Sequence, residues 1–170
     1  REHHAYSDTE KDPHSPHFFT DVFQMMYRTA ISFRLYEKRV KEPDAQFKGN
    51  YPEWRLIDYY GSHIITRIGF GILYALFYAQ FATAWWQWLL LPLQFIMGPL
   101  HGAIVNWCGH KYGYSNFDNG DKSKNTTPFD FLMLGELFQN NHHKRPNSPN
   151  FGARWFEIDP VYPVMKVMHW

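Results

Sequence analysis

The sequence predicts an all-α integral membrane protein: a two-span transmembrane helical hairpin with a cytoplasmic helical cap that carries histidine motifs. Three observations predict it. Residues 68–110 are 43 consecutive positions without Asp, Glu, Lys or Arg, and one helical crossing of the hydrocarbon takes about 20 apolar residues, so the run fits two spans and a turn. Its middle, "ATAWWQW", gathers Trp85, Trp86 and Trp88, as in an aromatic belt at the membrane interface. Adjacent histidines occur twice, His3/His4 and His142/His143, and the second pair stands in helical register with Gln139.

Composition narrows the function classes. The formal charge is +1 with both signs interspersed, which gives no basic excess for nucleic acid. Mean hydropathy is negative, yet that average hides the segregation of the polar residues from the central run. Aromatic residues number 33 of 170. Cys108 is the single cysteine, so no internal disulfide or thiolate metal motif is available and any metal falls to histidines. The chain opens at Arg1 without a signal peptide, and it reads as a fragment.

One domain, residues 1–170, divides into four parts. Residues 1–17 hold the first histidine motif. Residues 18–60 alternate apolar clusters with Arg28, Arg34, Lys38 and Arg39, the pattern of amphipathic helices lying at a membrane surface; "KEPDAQFKGNYPEW" within them has the Pro, Gly and Asn of a loop. Residues 64–106 form the hairpin, with spans at about Ile64–Phe81 and Trp86–Asn106. Pro92 and Pro99 are compatible with spanning, because neighbours re-satisfy the carbonyls they free. Arg67 and Lys111 flank the outer ends and place both on the cytoplasmic side by the positive-inside tendency. Residues 107–170 form the rest of the cap: a loop, a short helix from about Phe129 through His143, a Pro/Asn loop and a terminal aromatic helix.

Positions i, i+3 and i+4 share a helical face, so Gln139, His142 and His143 point one way, and Asn106 shares a face with His110. His3 and His4 occupy the last two places of the same triplet spacing. All belong to the cytoplasmic side of the hairpin. Imidazole suits iron, copper, nickel or zinc, and several neutral imidazoles without a thiolate are compatible with a redox-active pair of iron ions, with Asp8, Asp12, Glu136 and Asp159 as candidates to hold the far ring nitrogens. His63, His101 and His169 stand alone and read as structural; His14 and His17 lie in a Pro-containing loop.

At these residues the chain resembles the membrane fatty acid desaturases of the acyl-CoA and bacterial acyl-lipid delta-9 type. The matching stretches are "REHHAYSDTEKDPHSP", "VNWCGHKYGY", "GELFQNNHHKRP" and, more weakly, "RWFEIDP", in the family's order around a two-span hairpin. The resemblance implies a non-haem di-iron centre on a helical cap over four membrane helices, of which this chain holds half. It implies His3, His4, His110, His142 and His143 as iron ligands and Asn106 as a ligand through water. Gln139 stands where most relatives have a histidine. The family's earlier histidine pair, the first histidine of the triplet ending in His4, and two membrane helices belong upstream, so the 170 residues alone are not expected to assemble a competent site.

The implied activity is oxygen-dependent introduction of a double bond into a saturated acyl chain carried by coenzyme A or a lipid, with electrons from a ferredoxin, rubredoxin or cytochrome b5 type donor. Two other readings compete: a lipid or carotenoid hydroxylase of the same superfamily, and a non-catalytic membrane protein whose histidines hold zinc. Lys144 and Arg145 read as a solvated basic face, with contact to a phosphate-bearing head group as the alternative.

Overall fold

The computed structural model describes residues 1–49 and 53–169. Asn50–Pro52, part of the expected 41–54 loop, lie outside the described residues. The described chain is helical: α1 Glu2–Tyr6, α2 Val22–Glu37, α3 Arg55–Ser62, α4 Ile64–Phe81, α5 Leu90–Lys111, α6 Gln139–Lys144 and α7 Val161–Met168, with single 3-10 turns at Pro16–Phe18, Ala45–Phe47 and Trp85–Leu89. Among the described residues, β pairing is confined to isolated bridges such as Tyr114 with Asn125.

Contacts divide the chain into two compact units, Leu35–Leu100 and the remainder, Arg1–Arg34 with His101–Trp170. The first contains α3, α4 and the beginning of α5. Helix α4 starts where His63 accepts a hydrogen bond from the Ile65 amide, and it ends at the tryptophan-rich turn. There Gln87 Oε1 accepts from the amides of Thr83 and Ala84 at 2.6 and 2.9 Å, closing the turn in which the sequence predicts a reversal. The 3-10 turn and the start of α5 pack back along α4: Tyr78 meets the Trp88 ring of the turn at 6.0 Å and Tyr74 meets Phe95 of α5 at 6.1 Å between centroids. Arg67 pairs with Glu37 at the other end of α4.

At 1.5 Å per residue the 18-residue α4 is about 27 Å long and the 22-residue α5 about 33 Å, against a hydrocarbon core of about 30 Å. Both are long and apolar enough to cross a membrane. Their apolar side chains are largely uncovered, Ile65, Leu73, Leu76 and Phe95 among them. Helix α5 continues through Pro99 and runs five residues past the expected end of the second span at Asn106, which keeps His110 helical.

The second unit is held by polar networks more than by apolar packing. Its most buried side chains include Phe138, Met25, His110, Asn125, Asn140 and Asp130. The expected helix from Phe129 through His143 is corrected here: only Gln139–Lys144 is helical, and 131–137 is a chain of turns between isolated bridges at Phe129 and Phe138. Leu134 and Gly135 both adopt left-handed backbone, φ 58° and 92°, which a continuing helix excludes. Asp130 fixes the alternative, accepting from the amides of Met133 and Leu137 at 3.0 and 2.8 Å. A Cβ on Gly135 would lie 2.9 Å from the Asp159 carboxylate, so the turn requires glycine for space as well as for conformation.

Candidate metal centre

The second unit brings the histidines of three sequence-distant stretches together. Helix α1 carries His3 and His4, the last turn of α5 carries His110, and α6 carries His142 and His143. Ring centroids of His3, His110 and His143 stand 4.9 to 5.2 Å apart, and one ring nitrogen of each lies within 4.8 Å of the others.

Each of these three rings is held from behind by its own aspartate. His3 Nδ1 lies 2.9 Å from Asp12, His110 Nδ1 2.9 Å from Asp8 and His143 Nδ1 2.7 Å from Asp121. All three carboxyl groups sit below their ordinary range although burial by itself would raise them. For Asp8, the bond and charge of His110 with the Lys122 amide and Ser15 hydroxyl outweigh burial and bring it to about 2. For Asp12 the opposing partners are His3 and the amides of His14 and Asp8, and for Asp121 they are His143 and Ser123. Ionised carboxylates only accept, so each Nδ1 carries the proton and donates it, leaving Nε2 with its lone pair. The Nε2 atoms of His3, His110 and His143 are buried without a hydrogen-bond partner among the described residues. Leaving such an acceptor buried and unpaired costs about 1–3 kcal/mol each. Three converging buried lone pairs, each with its tautomer fixed by a carboxylate, fit a metal ion.

The other two rings are built differently. His4 Nε2 and His142 Nε2 face each other at 3.3 Å, and their centroids are 4.9 Å apart. Burial, then the neighbouring histidines, pull both down to about 4, so both are neutral at pH 7, the form in which imidazole ligates.

A family model for fatty acid desaturases matches residues 1–168. The chain belongs to the fatty acid desaturase family. Among curated desaturases it is similar to an sn-1 stearoyl-lipid 9-desaturase of Anabaena variabilis, with 28% identity over 99% of this chain and 58% of the relative. It is likewise similar to an acyl-CoA 5-desaturase of Anemone leveillei, with 27% identity over 100% and 51%, and to delta-9 acyl-lipid desaturase 1 of Arabidopsis thaliana, with 24% identity over 99% and 53%. The chain therefore spans about half the length of these relatives. No solved structure matches.

Within this member of the family the aspartates expected near His3 and His4 take different partners: Asp12 holds His3, while Asp8 reaches across to His110. Glu136 and Asp159 do not hold a ligand candidate. Asp159 accepts from the amides of Phe151, Val161 and Tyr162 and so organises the start of α7. Glu136 meets Gln139 through its backbone carbonyl, and its carboxyl is raised by burial, with Asp130 and Asp159 adding to that against the pull of His101. Asn106 donates within its own helix to Gly102 O at 2.8 Å. His17 Nε2 lies 3.0 Å from His110 O and His14 Nδ1 lies 3.2 Å from Thr29 Oγ1, so both brace the surrounding chain.

Asp121 is the contributor that sequence reasoning missed. It sits in the 112–128 loop, where no periodicity points to a histidine. Also missed was the anchoring of α6. Asn140 Oδ1 accepts from the amides of Asn116 and Phe117. Asn141 donates to Phe151 O and to Glu157. Buried Glu157 also accepts from Tyr114, Asn116, Asn125 and the amides of Ala153 and Arg154. In "QNNHH" the two asparagines fasten the helix to its loops, and the two histidines that follow are presented to the rings of α1 and α5.

Proposed function

We propose that this chain is the histidine-bearing part of a membrane fatty acyl desaturase that works at a pair of iron ions. The observation that carries the reading is the set of three aspartate-held histidines whose buried Nε2 atoms converge without partners. Family membership and the names of the relatives support the reaction class.

His3, His4, His110, His142 and His143 are the ligands, with Asn106 acting through a water. When bound, the iron pair supplies the activation of dioxygen, fed by an external electron donor, that removes two hydrogens from neighbouring carbons of a saturated acyl chain. The chain's own residues prepare that chemistry. Asp8, Asp12 and Asp121 hold the Nδ1 protons, fix each ring's orientation and raise the basicity of Nε2. Burial of His110 and the depressed basicity of His4 and His142 keep water and protons from competing for the ligand nitrogens. Helices α4 and α5 cross the bilayer with Arg67 and Lys111 at cytoplasmic ends, and the acyl chains acted on are carried by coenzyme A or a lipid headgroup.

The test is expression of the whole gene in a host lacking its own desaturase, with total fatty acids read by mass spectrometry. Acyl chains lighter by two hydrogens, absent for His142→Ala and His143→Ala, are the expected result. Chains heavier by one oxygen would assign a hydroxylase instead. Unchanged lipids together with tightly held zinc and no iron would overturn catalysis.

A further inference from the structure

The two histidine sets differ in how they are supported, and Gln139 lies beside the weaker one. His3, His110 and His143 each have a carboxylate on Nδ1. Among the described residues neither His4 nor His142 is paired with a carboxylate, and the Nδ1 of His142 is itself buried without a partner. Among the described residues, the one group of three side chains placed to share an ion is His3, His110 and His143.

Gln139 stands three residues before His142, where helical register calls for a further ligand on the same face. Its amide nitrogen and its stem are engaged elsewhere. Nε2 donates to Glu136 O at 2.7 Å, a bond back onto the preceding turn, and its Cβ and Cγ fill the space that a Cβ on Gly109 of α5 would enter. The residue is 5% exposed. Gln139 is thus wedged between the turn before α6 and the helix that carries His110. An amide oxygen is also a weaker donor than imidazole to first-row metals.

We propose that the two metal positions are unequal: His3, His110 and His143 form a buttressed, tight position, whereas Gln139 is a positioning wedge rather than a ligand and leaves the position of His4 and His142 weak. Loss of a carboxylate behind a ligating histidine typically costs 10–100-fold in metal affinity, so the position built from two unsupported rings is expected to be at least about 10-fold weaker. Ligands supplied from outside residues 1–170 add to either position without restoring an imidazole at 139. The inference rests on the metal-centre reading above and goes beyond it.

The experiment uses the full-length protein in detergent, freed of metal and titrated anaerobically with Co(II), followed by visible absorption and by metal analysis after gel filtration. Two separable steps are expected. Gln139→His should tighten the second step about 10-fold or more and leave the first unchanged, and Gln139→Met, which keeps the stem and removes the amide, should leave both in place. His142→Ala should abolish the second step alone. Two ions bound with equal affinity by the native protein would overturn the inequality and leave the metal-centre reading intact. A second step weakened by Gln139→Met as much as by His142→Ala would make Gln139 a ligand and overturn the wedge. Failure to bind Co(II) at all would overturn the metal centre and the inference with it.

Discussion

Asp121 accepts the Nδ1 proton of His143 at 2.7 Å, joining a loop to a helix 22 positions away. The same carboxylate accepts from the Ser123 amide and hydroxyl at 2.9 and 2.5 Å, so the loop holds its acid in place by bonds of its own. Asp121→Asn keeps the shape and removes the charge. We expect a loss of metal affinity of about 10–100-fold at the position that contains His143, with the thermal midpoint of the metal-free protein little changed. Equal metal affinity in the variant and the native protein would show that the carboxylate does not support ligation.

How much of this was legible follows the range of the interactions. Helix α4 has the expected bounds Ile64–Phe81 because an apolar run interrupted only by Arg67 is a local signal. Asp8 and Asp12 were legible as supporting acids because they lie within nine residues of the histidines of α1, although their crossed pairing with His110 and His3 was not. Asp121 was hidden because its relation to His143 exists only once Asn140 and Asn141 have tied α6 to the 112–128 loop. The 129–138 stretch misled for a different reason: "FDFLMLGELF" has apolar residues enough for a helix, but Asp130 captures two amides and Leu134 and Gly135 turn left-handed. Phe131, Leu132 and Leu134 consequently remain exposed.

Glu157 gathers six donors, and a chain that folds around it depends on its charge. Glu157→Ala leaves the side chains of Tyr114, Asn116, Asn125 and Asn141 without their shared acceptor; at about 1–3 kcal/mol for each buried donor left unpaired, the loss is expected to exceed about 3 kcal/mol. Thermal unfolding of the metal-free protein should show it as a large drop in midpoint. A drop no greater than that of a surface control such as Glu10→Ala would mean that water replaces the carboxylate at little cost.

The unsupported histidines set a pH dependence whose sign is fixed by their direction of shift. His4 and His142 are lowered from 6.5 to about 4 in the fold, so below pH 6.5 the unfolded chain takes up protons that the folded chain refuses. Stability of the metal-free protein is then full above about pH 6.5, declines as pH falls and reaches its floor below about pH 4. The lowered Glu157 and Asp12 carboxyls add a second decline at the acid end. Denaturant midpoints measured from pH 7.5 to 4.5 should stay level to about pH 6.5 and fall from there to pH 4.5, and the double variant His4→Gln/His142→Gln should flatten that fall. A native profile that stays level down to pH 5 would remove the histidines from the account.

Gly109 lies one residue before His110 and is buried against Gln139. The Cβ of Gly109→Ala overlaps the Gln139 stem, so α6 has to move away from α5 or the wedge has to leave its bond with Glu136. Overpacking of this kind costs about 1–3 kcal/mol, and because His142 and His143 ride on α6, the metal position shared with His110 should loosen as well. Gln139→Ala removes the nearest opposing atom, Cγ, and leaves only Cβ, 3.1 Å from the added methyl. The double variant is therefore expected to recover part of both losses, a coupling between contacting residues that is absent for distant pairs. Stability and Co(II) affinity of the two single variants and the double variant form one cycle. Strict additivity in both readouts would mean that the two residues do not press on each other and that the spacing of α6 from His110 is set elsewhere.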